Sequence, residues 1–358
     1  MNKLTNILAV VGLLFTVFLP MTVLGACNEL PNSVEQSDIP DYYFANNYLN
    51  KRIQLINDAI KESSDDCETF FWITDIHWEP EFNTRQSPSL IKYIATNTGI
   101  DKILNGGDIG DSQDICKEGI LQLLNAIGNN KVYSINGNHE IVDASKYERS
   151  FLRVDEELRS HNTDIIYGDG EGNRSYFYFD NSKKKTRYIG LSSFGFYNGS
   201  ICETCYTVEQ LTWFKNVALN VEEGWTIIIF THALYNVSCV TGEMYIYPPG
   251  ASDFIEAIDH YNGKGTIACV LIGHTHRDRI HIGTTGIPYI ISASDRYYPY
   301  MNDINVIRTP GTISEQHFEV AVIDKRKKIL KLFAIGANAR DGYDEEPGDE
   351  VDVRFFYY

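Results

Sequence analysis

Positive charge is what this chain is short of: lysine and arginine number 31 against 48 aspartates and glutamates, a formal net charge of −17. Nucleic-acid affinity rests on Lys and Arg displacing counterions from the phosphate backbone. A nucleic-acid partner is therefore not expected, and a nuclease is disfavoured unless bound cations supply the missing charge. A second long apolar run is also lacking, so nothing beyond the N-terminal segment is hydrophobic enough to cross a membrane. No internal repeat and no Pro- or Ser-rich linker divides the chain, which favours one large domain. Cys202 and Cys205 form a CxxC, but no second CxxC exists to complete a zinc knuckle. Apolar residues are not scarce: at 43%, with 13% aromatics, they are ample for a packed core.

The N-terminus differs from the rest. Lys3 precedes an almost wholly apolar stretch from Ile7 to Leu24, interrupted by Pro20 and followed by the small pair Gly25-Ala26. That is the layout of a secretory signal peptide over residues 1–26. An uncleaved anchor is the alternative, since the run is nearly long enough to span a bilayer. Leu24-Gly25-Ala26-Cys27 also resembles a bacterial lipobox, which would place lipid on Cys27. Each route leaves the remainder secreted or otherwise extracytoplasmic. In an oxidising compartment Cys67, Cys116, Cys202, Cys205, Cys239 and Cys269 are expected to form disulfides, with Cys27 left over. Asn173, Asn198 and Asn236 each begin an N-x-S sequon in segments that read as loops, as in a glycoprotein.

Residues 27–66 read as a polar lead-in, Asn28 to Pro40, and an amphipathic helix marked by Leu49, Ile53, Ile56 and Ile60. Residues 67–358 form the main domain. There, short apolar runs end in polar side chains: Phe70–Ile73 before Asp75, and Lys102–Leu104 before Gly106-Gly107-Asp108. Lys131–Ile135 precedes Asn138-His139, Trp225–Phe230 precedes His232, and Ile267–Ile272 precedes His274 and His276. Such runs are what buried strands look like. Helical stretches lie among them at Ser89–Ala95, Lys117–Ile127, Val208–Val217 and Ser252–His260. The alternation predicts βαβ units, in which ligands bind beyond the carboxyl ends of the strands. Ser175–Phe179 with Thr186–Leu191, and Phe318–Ile323 with Ile329–Ile335, predict antiparallel hairpins flanking a central mixed sheet or forming a second layer. The acidic tail Arg340–Asp352 reads as a solvated loop.

The polar residues make sense as metal donors. Asp75 and His77 straddle one residue, so on an extended strand end their side chains would point the same way. Asp108 could bridge two ions through its two oxygens. Asn138 offers an amide oxygen, and His232, His274 and His276 offer imidazoles. This mixture suits Zn, Fe or Mn better than a thiolate site or an all-oxygen calcium site. It is too large for one tetrahedral ion and suits two ions sharing an aspartate. Two ions roughly 3.5–4 Å apart can hold a hydroxide and clamp a phosphate for in-line attack. His139, beside Asn138, is placed to protonate the leaving oxygen. Each motif alone has an ordinary reading: Gly-Gly-Asp as a turn, Asn138 as a helix cap, His232 as the end of a core strand. Their coincidence at successive strand ends is what carries weight. His161, His260, His281 and His317 have no such context and read as structural or surface residues.

The ordered series Asp75-Ile76-His77, Gly107-Asp108, Gly137-Asn138-His139-Glu140, His232 and Gly273-His274-Thr275-His276 resembles the calcineurin-like metallophosphoesterase superfamily. The resemblance implies a four-layer α/β/β/α sandwich with a mixed central β core. It implies Asp75, His77, Asp108 and His276 on one metal, Asp108, Asn138, His232 and His274 on the other, and His139 as the acid. Purple acid phosphatases carry a tyrosine ligand where this chain has Asp111, and Ser/Thr protein phosphatases carry an arginine where it has Ile135. Too little chain follows the last motif for the second domain of a 5′-nucleotidase. Trp72–His77, Asn138-His139-Glu140 and the secretory start lean towards acid-sphingomyelinase-like phosphodiesterases, although a saposin-like domain is absent. The expected activity is hydrolysis of small phosphate mono- or diesters. The competing reading is a catalytically silent extracellular binding protein on the same fold, which a missing ligand would have favoured; none is missing.

Overall fold

Consecutive side chains on a strand point to opposite faces, so a run such as Phe70-Phe71-Trp72-Ile73 must be covered on both sides. Two sheets between helices do this. The computed structural model describes residues 38–78, 86–128, 131–140, 162–168, 176–197, 200–202, 205–237, 244–246, 248–296, 308–337 and 353–358. Residues 1–26, expected to be a signal peptide, Cys27, His161, Asn173, Asn198, Cys239 and the stretch Arg340–Asp352 lie outside the described residues.

The strands begin with β1 (Glu68–Ile73), β2 (Ile103–Asn105), β3 (Val132–Ser134), β4 (Ile166–Tyr167), β5 (Phe177–Asn181) and β6 (Thr186–Leu191). Next come the short pair β7 (Gly195–Tyr197) and β8 (Ser200–Cys202), then β9 (Thr226–Thr231) and the pair β10 (Tyr235–Val237) and β11 (Met244–Ile246). The last are β12 (Thr266–Ile272), β13 (Arg279–Ile282), β14 (Pro288–Ile291), β15 (His317–Asp324), β16 (Ile329–Gly336) and β17 (Val353–Tyr357). One sheet has the order β17-β16-β15-β1-β2-β3, parallel from β1 to β3 and antiparallel from β1 out to β17. The other runs β13-β14-β12-β9-β6-β5-β4, with β14, β12, β9 and β6 parallel and antiparallel strands at both edges.

Phe70 and Trp72 join Leu104, Tyr188, Phe230 and Leu271 in a core between the sheets. Phe71 and Ile73 face the other way, onto Ile53 and Ile56 of α1 (Tyr48–Glu62), Leu90 of α2 (Ser87–Thr98) and Ile120 of α3 (Gln113–Ile127). On the far side, Ile227, Ile229 and Val270 pack with Leu211 of α4 (Val208–Trp213) and Phe254 of α5 (Ala251–Asp259). The layers are α/β/β/α, as the sequence resemblance implied. Each large apolar side chain so buried contributes about 1.5–3 kcal/mol, which fixes the register of both sheets. Polar side chains cap two of these helices: Ser112 accepts from Ile115 N at 3.4 Å before α3, and Thr207 from Gln210 N at 3.2 Å before α4. Past α4 the chain widens into a π turn over Phe214–Ala218, replacing the end of the Val208–Val217 stretch expected to be plain helix. Both expected hairpins form; β15–β16 extends the first sheet beside β1, and β5–β6 enters the second through β6.

Two expectations need correction. Cys67, Cys116 and Cys269 are buried free thiols and not disulfides. They sit in separate places: before β1, inside α3 and between the sheets, and Cys116 Sγ donates to Gly110 O at 3.1 Å. The Cys202 side chain, needed to judge the CxxC, is outside the described residues. Asn236 lies in β10, paired with Tyr245 of β11, and not in a loop. Among the described residues no helix is long and apolar enough to cross a membrane.

Candidate metal centre

Every expected donor sits past the carboxyl end of one of the parallel strands: Asp75 and His77 after β1, Asp108 after β2, Asn138 after the edge strand β3, His232 after β9, His274 and His276 after β12. The structure brings all of them together. Asp75 and His77 do not converge by way of an extended strand end, as their spacing predicts. These residues are not extended: Asp75 (φ 52°), His77 (43°), Asp108 (53°), His274 (72°) and His276 (56°) are all left-handed. Non-glycine residues there cost about 1–3 kcal/mol each and persist only where the surroundings over-determine them. Asp75 N donates to Gly107 O at 3.0 Å and His77 N to Asp108 O at 2.9 Å, which ties the first loop to the second. The second and third loops touch backbone to backbone: Gly107 has φ 91°, and a Cβ at Gly137 would collide with the Asp108 carboxylate.

The donors form two clusters with one shared atom. In the first, His276 Nε2 lies 3.1 Å from Asp75 Oδ1, 3.0 Å from His77 Nε2, and His77 Nε2 is 3.8 Å from Asp108 Oδ2. In the second, His232 Nε2 lies 3.3 Å from the same Asp108 Oδ2 and 3.3 Å from Asn138 Oδ1, which is 3.0 Å from His274 Nδ1. Asp75, His77, Asp108 and His276 present ligand atoms within 4.8 Å of one another, and so do Asp108, His232 and His274. Two imidazole nitrogens about 3 Å apart are what metal–nitrogen bonds of about 2.0–2.1 Å to one ion would produce. The residues therefore fit two metal ions with Asp108 between them.

Electrostatics agree with that fit. Burial would raise the Asp75 carboxyl, yet His276 and His232 pull it down to about 2. Asp108 is likewise held below the carboxylate range, by His232, His77 and His139 against burial. Burial would lower His232, but Asp108 and then Asp75 push it up to about 9. Burial, then the charge of His232, lowers His274 to about 4. Buried carboxylates need compensation. Here a proton on His232 supplies it, and a bound cation would supply it in that proton's place.

His139 stands at the half-open rim. Its Nε2 is 3.9 Å from Asp108 Oδ2 and its backbone N donates to Asp108 Oδ1 at 2.9 Å. Its Nδ1 bonds the Asp111 carboxylate, so Asp111 fixes the ring. In the sequence Asp111 marks only a departure from a tyrosine ligand, and nothing there assigns Glu140 a task. The buried Glu140 carboxylate accepts from Asp108 N at 2.9 Å, Ile109 N at 2.6 Å and Gly137 N, binding the second loop to the third. Gly106 O accepts from His232 Nδ1 at 2.7 Å and turns Nε2 to the centre. Glu140 closes the Gly137–Glu140 motif, but no spacing rule reports which N–H groups it meets. His317, read as structural, is buried with Nδ1 donating to Ala337 O at 2.7 Å.

The sequence profile of the calcineurin-like phosphoesterases matches residues 69–278, more than half of the chain and all of these loops. The chain belongs to that family. Among solved structures this phosphoesterase is similar to a dimetal phosphatase from Danio rerio, with TM-score 0.53, 14% identity, and 81% of this chain and 98% of that one covered. It is also similar to a purple acid phosphatase from yellow lupin seeds, with TM-score 0.50, 14% identity, and 78% of this chain and 53% of that one covered. At such identity the likeness shows the fold. No curated protein matches the sequence. Membership makes the chain a metal-dependent phosphoric ester hydrolase, and the buried Asp/His clusters are its candidate dinuclear centre.

Proposed function

We propose that this phosphoesterase is exported and hydrolyses small phosphate mono- or diesters, with Asp75, His77, Asp108 and His276 holding one metal ion and Asp108, Asn138, His232 and His274 the other. The observation that carries the reading is the single oxygen, Asp108 Oδ2, that lies 3.3 Å from His232 Nε2 and 3.8 Å from His77 Nε2. When bound, two such ions would polarise phosphoryl oxygens and acidify a water at neutral pH. The protein's own part is positional and protonic. The left-handed loops hold the donors preformed, so little ordering is left for the moment of binding. Asp111 accepts from His139 Nδ1, which keeps Nε2 turned to the centre as the donor of a proton to the leaving oxygen. Export is supported by the signal layout of residues 1–26. The three buried thiols do not add to that support.

A substrate panel on the purified protein tests this: p-nitrophenyl phosphate, bis-p-nitrophenyl phosphate, nucleotides and phosphocholine esters, each with and without Zn²⁺ or Mn²⁺. Metal-dependent turnover of at least one is expected. Inactivity across the panel in a protein that holds two ions would favour a binding protein.

A further inference from the structure

The strained Asp75–His77 turn is held on one face by the loop after β2, through Gly107 O and Asp108 O. Its other face is held by a segment outside every motif, Ser294–Arg296, which follows β14. Asp295 N donates to Thr74 O at 3.0 Å, Arg296 N to Asp75 O at 3.4 Å, and Arg296 Nη1 to His77 O at 3.3 Å. Three carbonyls around two candidate ligands, those of Thr74, Asp75 and His77, are thus taken by one segment.

What fixes that segment is Arg308, only 7% exposed. Its guanidinium reaches Ser294 O at 2.6 Å, Asp295 O at 2.7 Å, Arg296 O at 3.1 Å, Ser314 O at 3.1 Å, and Glu315 O. Ser294 Oγ is a further acceptor at 3.3 Å. Asp295 is anchored independently, by Ser87 Oγ of α2 at 2.5 Å. A planar fork with five N–H donors can serve carbonyls on two chain segments at once, whereas an ammonium group concentrates three donors on one atom. Burying such a charge on backbone carbonyls is costly, and the return is rigidity in Ser294–Arg296.

We propose that Arg308 is a positioning residue that fixes the Asp75–His77 half of the metal centre through Ser294–Arg296. This rests on the two-metal reading above. Asp75 and His77 supply two of the four donors of the first cluster, so that ion should feel the change first. Groups that orient metal ligands from behind typically cost 10–100-fold in metal affinity when removed.

The test is calorimetric titration of Zn²⁺, and separately Mn²⁺, into metal-free protein, with melting of the metal-free form measured alongside. Wild type is expected to take two ions. R308K should keep one at wild-type affinity and bind the other about 10–100-fold more weakly. R296A, which removes the Nη1 contact to the His77 carbonyl, should weaken the same ion by a smaller factor, with little change in the melting of the metal-free protein. A merely structural role would lower the melting temperature of R308K and leave both affinities unchanged, and that result overturns the proposal. If R308K does not fold, R296A decides, and wild-type affinity for both ions in R296A overturns it. A wild type that binds no ion defeats the two-metal reading itself, a distinguishable failure.

Discussion

Replacing His139 by alanine separates the acid from the ligands. Its Nε2 is 3.9 Å from Asp108 Oδ2, and its other nitrogen is engaged by Asp111, so both ions should remain bound in His139→Ala. The lost step is proton delivery to the leaving oxygen, for which a positioned acid contributes about 10²–10⁴-fold, or about 3–5 kcal/mol of barrier. That deficit should appear in full for an alkyl phosphate ester, whose alkoxide is a poor leaving group. It should nearly vanish for p-nitrophenyl phosphate, whose phenolate departs without help. Asp111→Asn keeps a hydrogen-bond acceptor but loses the charge. Because both side chains are partly exposed (37% and 46%), solvent screens the pair. A loss of about 1 kcal/mol, roughly fivefold, is expected on the alkyl ester. The assay is kcat for the two esters, with metal content by mass spectrometry on the same samples. Equal deficits for both esters with metals intact would mean that His139 positions the phosphate. Loss of an ion would mean that it is a ligand.

Asp108→Asn removes charge from both clusters, so bound metal and turnover should fall together; loss of turnover with two ions retained would refute the shared-oxygen geometry. Gly137→Ala drives a Cβ into the Asp108 carboxylate, and metal affinity measured by titration should drop at least about tenfold, whereas unchanged affinity would show that the loop contact yields freely. In the metal-free protein, burial opposes but Asp108 and Asp75 outweigh it in raising His232 from 6.5 to about 9. A raised histidine stabilises the fold fully below pH 6.5 and loses that contribution as pH climbs through about 9. The melting temperature of the metal-free protein should therefore fall across that window, and the fall should flatten in Asp108→Asn; an identical profile in the variant would contradict the Asp108–His232 coupling.

Much of the site was legible because each motif couples an apolar run to a polar residue at its end, as in Trp225–His232, and a strand end dictates where that residue goes. The division of the strands into two sheets was less so. Phe70 and Phe71 are equally apolar yet face different cores, and alternation cannot be seen when both faces are buried. The left-handed turns at Asp75 and His77 were invisible for a different reason. They are imposed by carbonyls of the neighbouring loop and by Asp295 and Arg296, more than two hundred residues away, against local preference. Arg308 belongs to no motif, and its bonds to backbone carbonyls leave no trace in spacing. The disulfide expectation failed at Cys67, Cys116 and Cys269 because composition does not report which thiols meet; pairing needs Cα atoms roughly 4.4–6.8 Å apart, and these three are free.

Whether one aspartate oxygen joins two metal sites can be seen by anomalous diffraction from crystals soaked in Mn²⁺. Two peaks are expected, one among Asp75 Oδ1, His77 Nε2 and His276 Nε2, the other among Asn138 Oδ1, His232 Nε2 and His274 Nδ1, with Asp108 Oδ2 bound to both. A single peak, or two peaks of which one does not touch Asp108, would contradict it.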